Sequence, residues 1–148
     1  VKTTGAIAAV FAVDPDPSPL FVTTLFLCLF LWEVGGQNVP NDWTDIEEDR
    51  RFGAKTVPVQ FGIEWSARIM LVSLTAAVIM SGTLFYFSQT RFEFWFVLAV
   101  ISIGSIFLLF PCMQLLKNKA PKAAMTLFNK ASYYPMALLT IVLIKIMI

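Results

Sequence analysis

The stretch NDWTDIEEDRRFGAKTVPVQFG, Asn41–Gly62, holds five carboxylates (Asp42, Asp45, Glu47, Glu48 and Asp49) within eight residues and follows them with Arg50, Arg51 and Lys55. The sequence around it is of another kind. Of 148 residues, 57% are hydrophobic and 14% charged, and the mean hydropathy is +0.73. Soluble domains carry about a quarter charged residues, so the chain reads as a membrane protein with its acid gathered in one place. A net charge of +1 leaves no electrostatic footprint for nucleic acid. There is no histidine, which excludes histidine ligands and histidine general bases within these residues. Cys28 and Cys112 lie inside apolar runs without ligand spacing and read as packing thiols.

Working outward from the acidic stretch, apolar runs of about 20 residues mark membrane spans. The runs predict spans at 19–39, 68–88, 93–116 and 131–148, with 40–67 as the loop that carries the motif. Glu33 and Gln37 interrupt the first near one end, Pro111 is expected to kink the third, and Lys145 is placed to snorkel from the fourth. The opening VKTTGAIAAVFAV is too short to cross and reads as the end of a further helix. The chain starts at Val1 with no signal-peptide pattern, so a piece of a longer protein is expected. Lys117, Lys119, Lys122 and Lys130 fill the connection before the last span. Two spans separate it from the acidic loop, so both loops share a side. Cations mark the cytoplasmic side, which places both loops there, with Asp14–Pro19 and Arg91 opposite.

In a continuous helix over 41–51, Asp42, Asp45 and Asp49 fall on one stripe, with Glu48 beside it and Glu47 turned away. Aligned carboxylates repel, and a bound cation removes that cost. Hard oxygen donors in this number suit Mg²⁺, which takes one or two carboxylates and shares phosphate oxygens. Arg50 and Lys55 would supply the other half of an anion site, Arg as a planar fork and Lys as a point charge. Gly53 is expected to end the helix in the left-handed conformation, leaving 54–58 to bring Lys55 and Thr56 back over the site. The plainer alternative for a mixed-charge run between spans is a solvated loop, and positive-inside bias alone accounts for cations there.

The string Asn41-Asp42-x-x-Asp45-x-x-x-Asp49-x-x-x-Gly53-x-x-Thr56-x-Pro58 resembles the second aspartate-rich motif of the UbiA-type intramembrane prenyltransferases. Val57-Pro58-Val59-x-Phe61-Gly62 and Leu127-Phe128-Asn129-Lys130-Ala131-Ser132 are similar too. Members prenylate 4-hydroxybenzoate, dihydroxynaphthoate, chlorophyllides or archaeal glyceryl phosphates. The resemblance implies an all-α, multi-pass transmembrane bundle: about four complete spans plus the end of a fifth, half of a nine-helix fold. Residues 1–148 are then the C-terminal part of one prenyltransferase domain, with the first motif outside this chain and little activity expected from this part alone. Asp45 and Asp49 match the carboxylates that hold Mg²⁺ and the prenyl diphosphate, and Asp42 an acid one turn earlier. Lys2, followed by Gly5, resembles a lysine that touches the diphosphate, the alternative being an interfacial anchor.

The implied reaction is Mg²⁺-dependent transfer of a prenyl group from its diphosphate to an aromatic or other lipophilic acceptor, of quinone, chlorophyll or lipid biosynthesis type. The diphosphate ionises to an allylic cation, which Phe30, Trp32 or Trp43 would shield by cation–π contact, although plain packing is the commoner role for any one aromatic. The implied partners are prenyl diphosphate, the acceptor and the bilayer, with an inner or plasma membrane if the source is bacterial. A non-enzymatic cation transporter with acids lining its path is the rival reading. The basic sequel to the acids suits a phosphate ligand better. A CDP-alcohol phosphotransferase needs a DG-x-x-AR start that this chain lacks.

Overall fold

Four apolar stretches form helices long enough to cross a membrane in the computed structural model, which describes residues 2–86 and 93–147. They run Pro19–Thr44, Val57–Tyr86, Phe94–Asn118 and Pro121–Met147, after a shorter apolar helix, α1 (Lys2–Val13). No strand occurs among the described residues. The protein is an all-α, multi-pass membrane bundle. A helix satisfies its backbone polar groups internally, which hydrocarbon demands. The expected span ends at Ser88 and Ile148, and the cation Arg91, lie outside the described residues.

Two of the spans are composite. The first joins α2 (Pro19–Glu33), a π-helical segment (Val34–Asn38) and α3 (Val39–Thr44). The third joins α6 (Phe94–Gly104), a π-helical segment (Ser105–Leu109) and α7 (Phe110–Asn118). Each π segment stops just before a proline in the first turn of the next helix, Pro40 or Pro111. Proline has no N–H and its ring collides with the carbonyl four residues back, and a wider turn relieves that conflict. The disturbance expected at Pro111 therefore takes this form, and Pro40 produces the same form where none was expected.

Between the first two spans stand α4 (Ile46–Phe52) and the start of α5 (Val57–Tyr86), which leaves helical geometry at Gly62 (φ 77°, ψ 171°). The segment 40–67 that connects these spans, with a helix expected over 41–51, is helical except at Asp45 and residues 53–56. The last span, α8, begins at Pro121, ten residues before the apolar run, because Pro suits the first turn of a helix.

In the bundle α2 packs on α5, α5 on α6, and α3 and α7 on α8. The first span comes close at Gly36, where an added Cβ would stand 2.8 Å from the Ala131 Cβ. Small residues allow such approach between membrane helices. The core, with Trp43, Met70, Leu74, Leu115 and Leu127 at its centre, fills the half of the bundle nearest α4. Toward the other end burial thins: α2 buries nothing before Cys28, and α8 buries only Ile141 beyond Tyr134. Val72, Ile79 and Trp95 face outward, as lipid-facing positions should.

Polar groups inside the bundle are paired. Tyr134 Oη donates to Ser81 Oγ at 2.7 Å, which donates to the Val78 carbonyl at 2.8 Å. Among the described residues no buried side-chain nitrogen or oxygen lacks a partner. Cys28 and Cys112 are free and buried. Lys145 pairs with Glu93 at 3.4 Å and lies 5.4 Å over the Phe96 ring. At the opposite end Lys119 pairs with Glu64 and so ties the connection before α8 to the start of α5.

Candidate functional site

The acidic run folds as a short helix with its charges sorted along its axis. Glu47, Glu48 and Asp49 occupy the first turn of α4, and Arg50 and Arg51 the last. This order complements the helix dipole, negative side chains at the amide end and positive ones at the carbonyl end. That alone accounts for Glu47, Glu48 and Arg51, all three exposed. Gly53 closes the helix at φ 70°, ψ 22°. The Ala54 N–H bonds to the Asp49 carbonyl (2.9 Å) and the Gly53 N–H to the Arg50 carbonyl (3.3 Å), the double bond pattern of a glycine C-terminal cap.

The continuous helix expected over 41–51 does not form. Asp45 breaks it at φ −111°, ψ 14°, between α3 and α4. The Thr44 hydroxyl lies 2.7 Å from the Asn41 carbonyl and 2.9 Å from Asp45 Oδ1, and such local bonds compete with helical ones. Asp42, Asp45 and Asp49 therefore stand around a bend, not along a stripe. They remain electrostatically linked, because the charges of Asp49 and Asp45 both act on Asp42. Asp42 and Asp49 are half-buried and Asp45 is exposed. Thr56 Oγ1 donates to Asp49 Oδ2 at 2.9 Å, which brings the 53–56 loop back onto α4. Arg50 and Lys55 are exposed and make no ion pair among the described residues.

Beside this bend opens a cleft of about 430 Å³ lined by Lys2, Glu33, Gln37, Asn38, Asn41, Asp42 and Phe128. Of the residues singled out in the sequence, it gathers Lys2 and Asp42. Asp45, Asp49, Arg50 and Lys55 lie outside its lining. The Lys2 ammonium sits 5.5 Å over the Trp32 ring and donates to Gln37 Oε1 at 2.9 Å. Next to it Thr3 Oγ1 donates to Glu33 Oε2 at 2.7 Å. Gln37, the cleft's central amide, was visible in the sequence only as an interruption of an apolar run. An uncompensated amide inside a span, one helical turn before Asn41, was the signal that marked it.

Three aromatics separate by environment. Trp32 and Trp43 belong to the core, while Phe30 is exposed and stacks on Phe26. A second, larger cavity of about 780 Å³ lies at the other end of the bundle between α1, α2 and α5, walled by Val10, Val13, Phe21 and Leu84. Among the described residues no three acids converge closely enough to cage an ion. The donors at the bend are nonetheless hard carboxylate oxygens in like-charge proximity. Mg²⁺ asks one or two of these from a protein and fills its shell with water and phosphate oxygens.

Known proteins resemble this chain over much of its length. The model of the UbiA prenyltransferase family matches residues 3–138. The chain is 33% identical over 100 residues to a digeranylgeranylglyceryl phosphate synthase of Thermococcus sibiricus, covering 68% of this chain and 34% of that protein. It is 29% identical over 114 residues to the bacteriochlorophyll synthase 33 kDa chain of Rhodobacter capsulatus, covering 77% and 37%. It thus spans about a third of the length of the curated relatives it matches. No solved structure is a significant match. A bundle of apolar span-length helices, an aspartate-rich bend at the end of one of them and a family model that matches residues 3–138 place this chain in the UbiA prenyltransferase family.

Proposed function

We propose that this chain is the C-terminal part of an intramembrane prenyltransferase that moves a prenyl group from its diphosphate to an aromatic or other lipophilic acceptor. The observation that carries the proposal is the cleft in which the Lys2 ammonium and Asp42 face one space, at the charged end of an apolar bundle. Polar head chemistry there lies within one helix length of lipid, which suits a substrate with an anionic head and a hydrocarbon tail.

In this reading Asp45 and Asp49, with Asp42, hold Mg²⁺, and Lys2, Arg50 and Lys55 bind the diphosphate. When bound, the metal supplies charge neutralisation for the leaving group. The chain's own residues orient the head: Lys2 as a point charge, Arg50 as a fork, Lys55 from the loop that Thr56 fastens to Asp49. The allylic C–O bond breaks with its electron pair leaving on the diphosphate. The acceptor supplies the electron pair of the new bond to that carbon and then loses a proton. The acidic end faces the cytoplasm, where the basic connection before α8 lies beside it.

The test is substitution in the full-length protein. Asp45→Asn and Asp49→Asn each keep the side-chain size and remove the charge. Prenyl transfer is expected to fall by roughly 100-fold or more, because metal and leaving-group stabilisation are lost together. Turnover within about twofold of wild type for both variants would overturn the enzyme reading.

A further inference from the structure

Gln37 is 3% exposed and lies in the π segment of the first span. Its carboxamide nitrogen stands 3.1 Å from the Gly36 carbonyl, 3.2 Å from the Phe128 carbonyl and 3.2 Å from Ser132 Oγ. Two of these three neighbours are carbonyl oxygens that accept only, so the NH₂ end must face them. The carboxamide is thereby fixed end for end, and its oxygen is turned to Lys2 Nζ at 2.9 Å. Lys2 itself is exposed and sits on a different helix, 35 residues away in sequence. A lysine ammonium on a four-carbon stem otherwise samples many rotamers.

From this geometry we infer that Gln37 is a positioning residue: anchored to α8, it holds the Lys2 ammonium at the cleft so that the cation meets an anionic diphosphate in place. The inference rests on the proposed function for the identity of the ligand, and on the contacts alone for the orientation of Lys2. It also gives a purpose to Phe128 and Ser132, which the sequence marks only as part of a family-like string. They hold the nitrogen end of the amide, and the amide holds the lysine. The Trp32 ring, 5.5 Å beneath the ammonium, forms the other side of the clamp.

Two readouts in the full-length protein separate this role from simple packing. The first is the rate of reductive methylation of Lys2, followed by mass spectrometry, in wild type and in Gln37→Met, a variant of similar length without hydrogen bonds. Release of the ammonium is expected to speed modification of Lys2 about threefold while Lys55 and Lys119 stay unchanged. The second is binding of inorganic diphosphate with Mg²⁺ in wild type, Gln37→Met, Lys2→Met and the double variant. Gln37→Met is expected to weaken binding by about tenfold, the scale of one hydrogen bond to a charged group. In the Lys2→Met background the same change should alter binding by less than about twofold. An unchanged methylation rate overturns the inference, and so does an equal loss of diphosphate binding in both backgrounds. If the cycle behaves as expected while Asp45→Asn and Asp49→Asn both leave prenyl transfer intact, the enzyme reading alone fails.

Discussion

At the scale of single residues, the acidic bend is held by a few local bonds, and Gly53 is the most exacting of them. Its φ of 70° and the two bonds that close α4 behind it leave no unstrained place for a Cβ. Gly53→Ala is expected to cost about 1 kcal/mol of unfolding free energy in micelles, read from chemical unfolding. It should also loosen the 53–56 loop, whose only described side-chain tie to α4 is the Thr56–Asp49 bond. Gly53 was legible in the sequence because a helix with basic residues in its last turn and a glycine after it has one usual ending. The break at Asp45 was not legible. Nothing in Thr44-Asp45-Ile46 is incompatible with a helix, and the bend emerges only when the Thr44 hydroxyl takes up the Asn41 carbonyl. The partnership of Lys2 with Gln37 was hidden for another reason, since 35 residues separate a cation at one helix start from an amide in the next helix.

At the scale of elements, proline decides how the helices meet. Pro135 lies inside α8, so the Ala131 carbonyl loses its customary amide donor, and the indole N–H of Trp32 fills the vacancy at 3.0 Å. Trp32→Phe keeps the ring and removes the donor. It is expected to destabilise the bundle by about 1–3 kcal/mol, the cost of a buried unsatisfied carbonyl. Pro135→Ala restores a backbone amide at position 135, so in that background the same Trp32→Phe change should cost less than half as much. Equal costs in both backgrounds would mean that packing, not the hydrogen bond, is what Trp32 contributes. The apolar runs foretold the number of span-length helices because hydrocarbon enforces length and composition together. They misjudged where helices begin: α5 starts at Val57 and α8 at Pro121, both well before the hydrophobic run. Polar helical turns at a membrane surface carry no hydropathy signal.

At the scale of the whole molecule, the bundle has a dense end and an open end. The core, the acidic bend, the cleft and the Lys119–Glu64 pair share the first. The turn at 14–18 and the Lys145–Glu93 pair mark the second. The proposed orientation in the membrane rests on cation bias and is open to a direct check. Lys55→Cys and Lys119→Cys are expected to react with a membrane-impermeant maleimide from the cytoplasmic side, and Asp16→Cys only from the opposite side. The native Cys28 and Cys112 are buried and should stay silent. Labelling of Lys55→Cys and Lys119→Cys from different sides would contradict the fold itself, and labelling of both from outside would reverse the proposed topology.

One small feature opens the bundle to observation. In a regular helix the donor to each backbone carbonyl is another backbone amide, which no side-chain exchange short of proline can remove. At Ala131 the donor is an indole from a neighbouring helix. A carbon-13, oxygen-18 label in that one carbonyl would give an infrared band separate from the rest of the amide spectrum. Its frequency would rise when Trp32 withdraws, so one oscillator would report, in lipid and in real time, whether α2 and α8 are docked.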